Sequence, residues 1–221
     1  MKTNEKCAHL HQLFNTLERR RFEKAEIDGL GFTNGIYVIF EKGEEAHDVD
    51  RIVRIGTTTG QKSTLADRLN EHYENEGRSV FRNNVALCIL QKNGDPLDLA
   101  KLFWKSSIYR KKWKTTANNE QLQMYQDINE EVNKHIRGSC SFIVFPVEKS
   151  SRTDWEAKII STISSCNNCR SSDNWMGKYS PKDIIRGKGV WNIKHVNTKS
   201  LMTNSELVEL EKIVELSTLR Y

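Results

Sequence analysis

Gly35-Ile36-Tyr37-Val38-Ile39-Phe40 is an unbroken β-branched and aromatic run, and Arg51-Ile52-Val53-Arg54-Ile55 follows it closely. Lys42-Gly43-Glu44-Glu45, between them, reads as a turn. Two strands this near in sequence pair as an antiparallel hairpin, because a parallel pair needs a long crossover connection. A doubly wound parallel sheet is therefore disfavoured from the start of the β region. Phe142-Ile143-Val144-Phe145 is the clearest further strand signal. Another strand is expected between Val80 and Leu90, best placed at Val85–Leu90, and a short one at Val190-Trp191-Asn192-Ile193.

Helical patterning surrounds these runs. Residues 3–25 are polar, with Leu10, Leu13, Phe14 and Leu17 at helical spacing, and the pattern breaks at Leu30–Gly35. After the small-residue loop Gly56–Gly60, Ser63 or Thr64 can cap a helix running to about residue 75. Residues 97–137 are helical in character, wet and charged. Asp154–Ile163 reads as a helix with Trp155, Ile159, Ile160 and Ile163 on one side, and residues 203–217 as a closing amphipathic helix. Helices and strands are mixed, so the fold class is α+β.

The 221 residues suit one large domain, or one domain with an insertion. No apolar run approaches the roughly 18–20 residues of a membrane span, and the N-terminus lacks the apolar stretch of a signal peptide. A cytoplasmic setting is expected, with the five cysteines as thiols. Cys166-Asn167-Asn168-Cys169 is a single C-x-x-C; zinc needs about four ligands, and His195 and Cys140 complete it poorly, so these cysteines read as bland reduced thiols. The net charge of +5 leans toward a polyanionic partner without proving one.

Four features share an order. Gly35-Ile36-Tyr37 is followed by Arg54-Ile55-Gly56, then by Arg68 and His72 four residues apart, then by Glu156 on a later helix. Together with FRNNV and NWMG further along, this set resembles the GIY-YIG nuclease superfamily, in a bacterial branch whose second triplet begins with Arg rather than Tyr. The resemblance covers about 33–92 and 140–197. It implies a small, mainly antiparallel three-stranded sheet flanked by helices, with a helical insertion at 97–137. The expected division is an N-terminal helical extension at 1–30, a nuclease domain at 31–197 and a C-terminal helix at 198–221. The implied activity is a metal-dependent DNA endonuclease, in a restriction or defence setting and encoded by a bacterium or phage. Alternatives are a catalytically silent DNA-binding module of the same fold, or a mobile-element or repair nuclease. Double-stranded DNA is the expected partner. Cutting both strands with one small site calls for a homodimer or successive nicking, and the sequence leaves both open.

The resemblance also assigns roles. Tyr37 is the candidate base or water-orienting group, which needs cationic neighbours to become acidic enough. Arg54 supplies such a cation or binds the scissile phosphate. Arg68 and His72, at i and i+4, share one helix face: a planar fork for phosphoryl oxygens beside an imidazole able to orient water or protonate a leaving group. Glu156 is the candidate ligand for Mg²⁺ or Mn²⁺, a sparse site that draws its remaining ligands from water and phosphate. An Asn after this helix is expected: Asn174, with Asn167 and Asn168 as alternatives.

Phosphate contacts are expected from Lys62 and Arg82. The stretch Lys101–Lys114 has six cationic residues, four aromatics and no acid. It nominates Lys105, Arg110, Lys111, Lys112 and Trp113 for nucleic acid, since cations neutralise phosphates and aromatics stack on bases. Against this stands a helix whose aromatics face the core while its lysines extend into water. Lys178 and Arg186 belong to a second basic segment that would line the other side of a groove.

Overall fold

The computed structural model describes residues 1–60, 62–74, 78–95 and 97–218, with backbone alone at 97, 98 and 218. In chain order the elements are α1 (Thr3–Asn15), β1 (Arg20–Arg21), α2 (Lys24–Asp28), β2 (Gly35–Ala46), β3 (Val49–Thr57), α3 (Leu65–Tyr73) and α4 (Val80–Asn93). There follow α5 (Leu97–Trp104), α6 (Ser107–Lys114), α7 (Asn119–Ser139), β4 (Cys140–Pro146) and α8 (Arg152–Ser164). A 3₁₀ turn (Met176–Tyr179), α9 (Asp183–Lys188) and α10 (Asn204–Thr218) complete the chain. The expected end of α3 near residue 75 lies outside the described residues.

Among the described residues the sheet has four strands, ordered β1–β4–β2–β3 and antiparallel throughout. The addition to the expected three is β1, whose two residues pair with Ser141 and Phe142. Helices cover both faces. Tyr37, Ile39, Val53 and Phe142 join a cluster with α3, α4 and α7, while Ile36, Val38, Ile55, Ile143 and Phe145 join one with α1, α8 and α10. A strand buried on both faces needs apolar residues at every position, hence the unbroken run in Gly35–Phe40. The first and last helices lie together, with Met1 on Asn204 and His9 on Glu211.

Three local expectations are corrected. The hairpin turns at His47 and Asp48, with φ of 56° and 65°, and not at Lys42–Glu45. Two consecutive left-handed residues make the tight connection that matches strand twist. Gly43, at φ 84°, sits within β2 where its register with β3 is irregular. Second, Val85–Leu90 is helical and lies inside α4. Ser79 caps that helix by accepting the Arg82 N–H at 3.1 Å, and Gly94 ends it in the left-handed conformation. Its residues from Val85 to Leu90 are all buried, and a helix apolar on every side carries no periodicity to separate it from a buried strand. Third, Val190–Ile193 is not a strand. It lies along β3 through the Trp191 N–H to the Val53 carbonyl (2.8 Å) and the Asn192 amide to both backbone groups of Ile55 (3.0 and 2.8 Å). This segment is fastened further by Glu41, whose buried carboxylate accepts the indole N–H of Trp175 at 3.0 Å and of Trp191 at 3.1 Å.

No helix among the described residues is long and apolar enough to cross a membrane.

Candidate active site

The register of the hairpin places Tyr37 opposite Gly56. A Cβ at Gly56 would stand 2.7 Å from Tyr37 Cε1 and nearer still to its Cζ and hydroxyl. The glycine of the second triplet therefore makes room for the tyrosine of the first. Two residues along, Ile39 pairs with Arg54 but Phe40 pairs with Ile52, so Val53 is an extra residue in β3. Such a bulge puts two consecutive side chains on one face. Val53 enters the Tyr37 cluster while Arg54 Nε–H donates to the Tyr37 hydroxyl at 3.3 Å. Ile52 and Ile55, on either side, stay in the opposite cluster. A second Arg54 nitrogen donates to the Trp191 carbonyl at 3.2 Å.

Helix α3 supplies the next two groups. Thr64 caps it in a reciprocal capping box with Asp67, so the helix begins at a defined residue and its i, i+4 face is fixed. Arg68 pairs with Glu71 at 2.5 Å and also engages the Tyr37 hydroxyl. His72 has no solvent exposure; its Nε2 lies 2.7 Å from Tyr37 Oη and its Nδ1 2.7 Å from Ser79 Oγ. Burial, reinforced by the positive charge of Arg68, Arg54 and Arg82, holds the His72 pKa well below its ordinary value. The ring is therefore neutral at pH 7 and bridges the two hydroxyls as donor to one and acceptor from the other.

Glu156 sits on α8, half-buried, in a cleft of about 490 Å³ with Arg54, Arg68, Glu71, Lys194 and the Thr57–Gly60 loop. Burial raises its pKa; Arg54, the Thr57 backbone, Arg68 and Lys194 act in the opposite direction. The loop is gripped from α8 by Arg152, which donates to the Gly60 carbonyl at 3.1 Å and to the Asn34 side chain. Tyr37 is fully buried behind Arg54 and does not line the cleft. As a donor set the cleft suits a hard, oxygen-seeking cation: the Glu156 carboxylate, with Glu71 held by Arg68 and Asp67 by the Thr64 cap, no thiolate among the described lining residues, and space for water and phosphate.

The structure thus brings Tyr37, Arg54, Arg68, His72 and Glu156 together. Asn174 is exposed and does not line the cleft. Asn192 does line it, a placement that reading Val190–Ile193 as a strand hides; the polar Asn inside the apolar run Val190–Ile193 was the available signal.

The expected nucleic-acid contacts divide sharply. Lys62 is exposed beside the cleft-lining Ser63. Arg82 is buried, and its guanidinium binds the carbonyls of His72 and Tyr73 (3.1 Å each) and Asn133 (2.7 Å), closing the C-terminal end of α3. Arg110 is likewise buried and donates to the Leu102 and Lys105 carbonyls at 2.6 and 2.9 Å. Trp113 packs against Tyr125, ring centroids 5.7 Å apart, and joins the core. Lys105, Lys111 and Lys112 remain exposed. None of the three lines the cleft: α6 meets α7 at Tyr125, whereas α7 reaches the end of α3 at Arg137, whose guanidinium covers Tyr73. Twelve residues of helix separate those points, about 18 Å. Lys178 and Arg186 line a separate concavity of about 790 Å³ together with Arg170, Lys188, Asp173 and Asp183.

No curated protein and no solved structure gives a significant match to the chain. A family model described as the GIY-YIG domain matches residues 1–219, which takes in both terminal helices and the helical insertion as well as the cleft. With Arg54, Arg68 and Glu156 lining one cleft and Tyr37 and His72 packed behind them, and with this family match over nearly the whole chain, the chain belongs to the GIY-YIG domain family.

Proposed function

We propose that this chain is a metal-dependent DNA endonuclease. The observation that carries the reading is the convergence of Arg54, Arg68 and Lys194 with the Glu156 carboxylate in one cleft. Those cations facing Glu156, with Glu71 already paired to Arg68 and Asp67 to the Thr64 cap, suit a phosphodiester, whose non-bridging oxygens carry the charge that grows in the transition state. Arg54 and Arg68 bind those oxygens, and their second partner, the Tyr37 hydroxyl, fixes where the two guanidinium groups point. The attacking water forms a bond to phosphorus as the bond to the leaving oxygen breaks. The proton that water loses passes to the solvent filling the cleft, while the buried Tyr37–His72 pair holds the Arg54 and Arg68 guanidinium groups in position. Glu156 would hold Mg²⁺ or Mn²⁺, which when bound supplies charge to stabilise the leaving oxygen.

A restriction or defence setting is the biological reading we favour, with the insertion supplying target contacts through Lys105, Lys111 and Lys112. One observation favours a second reading, a DNA-binding module without catalysis: Tyr37 and His72 both have zero exposure. Supercoiled plasmid incubated with and without Mg²⁺, using wild type and Glu156→Gln, separates the two. Mg²⁺-dependent nicking that Glu156→Gln abolishes, with DNA affinity retained, supports the nuclease. Binding without nicking in the wild type overturns it.

A further inference from the structure

Five metal-binding side chains outside the cleft converge from three distant stretches of sequence. Cys7 and His11 lie on one turn of α1, His47 is the first residue of the hairpin tip, and Cys166 and Cys169 lie in the loop after α8. The ligand atoms of Cys7, His11, His47 and Cys169 all lie within 4.8 Å of one another. Cys166 Sγ is 3.6 Å from His47 Nε2, and the Cys7 thiol is hydrogen-bonded to both Cys166 and Cys169. All five cysteines are free thiols.

We propose that Cys7, His47, Cys166 and Cys169 form a tetrahedral zinc site that ties α1 and the loop after α8 to the tip of the β2–β3 hairpin. The spacing is that of such a site. With Zn–S near 2.3 Å and Zn–N near 2.05 Å at the tetrahedral angle, sulfur and nitrogen ligands stand about 3.6 Å apart. That is the Cys166–His47 separation of 3.6 Å. Choosing four from five follows from hydrogen bonding. His11 Nδ1 is 2.9 Å from the Cys7 carbonyl, and its Nε2 accepts the Ile52 N–H at 3.1 Å. His11 Nε2 also lies 3.4 Å from Cys169 Sγ, but its lone pair is taken by the Ile52 N–H, so His11 supports the Cys7 segment from behind and leaves the metal to the others. His47 has no such commitment, its Nε2 being directed at Cys166.

The chemistry of the surroundings agrees. Zinc takes its cysteine ligands as thiolates. Binding releases the thiol protons. Three thiolates exceed the ion's two positive charges, and the buried Arg51 guanidinium lies close enough to Cys169 to act on it electrostatically. Arg51 also binds Glu44, which accepts the Ser172 N–H at 3.1 Å, so the loop is fastened to the hairpin one step beyond the ligands. The site lies at the opposite end of β3 from the cleft loop, eight strand steps or about 26 Å away. Its role is structural, and its test is independent of cleavage.

The experiment uses the full chain purified without chelator. Elemental analysis is expected to find about one equivalent of zinc. Cobalt added to zinc-stripped, reduced protein is expected to give the intense visible bands and near-ultraviolet thiolate charge transfer of tetrahedral thiolate coordination. Cys166→Ser and His47→Ala, both at partly exposed positions, should keep the fold while weakening cobalt binding at least tenfold. His11→Asn should retain the tetrahedral spectrum. Absence of the cobalt spectrum in reduced wild type overturns the proposal. So does unchanged cobalt binding by both ligand variants, or a thiol titration of the unfolded, unreduced protein that finds cysteines consumed in a disulfide.

Discussion

Replacing Tyr37 with Phe isolates one oxygen atom. The ring stays, so packing against His72 and Gly56 is preserved and no cavity opens. What disappears is the acceptor for Arg54 Nε at 3.3 Å and the 2.7 Å partner of His72 Nε2, both at positions closed to water. A buried polar group left without its partner costs roughly 1–3 kcal/mol. Two such groups, each with another hydrogen bond remaining, place the loss near 3 kcal/mol. At about 2–4 °C per kcal/mol for a chain of this size, the melting temperature should fall by roughly 6–12 °C. Cleavage should fall by on the order of 10² or more if the hydroxyl holds the two guanidinium groups in position. Thermal melting of Tyr37→Phe, His72→Leu and the double variant completes the test. Removing both partners relieves the orphaned acceptor, so the double variant should be more stable than the sum of the singles implies by about 1 kcal/mol or more. Strict additivity, or a Tyr37→Phe melting point unchanged within about 2 °C, would refute the reasoning.

Burial depresses the His72 pKa, so its contribution is complete above about pH 6.5 and is lost as pH falls below that; wild-type stability measured down to about pH 5 should decline more steeply than that of His72→Gln. Gly56→Ala should destabilise by roughly 1–3 kcal/mol because its Cβ meets the Tyr37 ring, whereas Gly138→Ala, in α7 with open space around it, should stabilise by about 0.5–1 kcal/mol. Chemical denaturation of the two variants reads both signs. Trp113→Ala should lower stability by about 3 kcal/mol and leave the salt dependence of DNA binding alone. The exposed Lys105, Lys111 and Lys112, changed together to Ala, should flatten that dependence by about one unit for each phosphate no longer neutralised, without moving the melting point; an unchanged slope places the insertion away from DNA.

Strands, and the helices with one polar face, were legible in the sequence because their patterns follow from which sides meet water. The buried stretch Val85–Leu90 of α4 was not, since complete burial erases the 3.6-residue period along with the two-residue one. In the site, Tyr37, Arg68, His72 and Glu156 carry recognisable spacing. Asn192 does not, because its place depends on a loop lying along β3. Arg82 and Arg110 show the limit of counting charge: a basic residue in a basic stretch reads as a phosphate contact, yet each guanidinium has found carbonyl oxygens at a helix end. The zinc-ligand geometry was invisible for a similar reason. The C-x-x-C was plain, but its completing partners lie 119 or more residues away, and only the docking of three segments joins them.

The strap from Val190 to Ile193 bears on when the cleft can exist. Arg54 and Trp191 are 137 residues apart, so the wall that orients this arginine cannot form early in synthesis. A ribosome releases the hairpin and α3 long before it releases the strap. Until then β3 keeps an unpaired edge, Arg54 lacks its carbonyl, and Glu41 waits for two indoles. Pairings this distant are also the slow ones to close. The nascent chain therefore carries its triplets, its Arg–His pair and its carboxylate as separate pieces, and they become one cleft only when the final quarter of the polypeptide folds back over them.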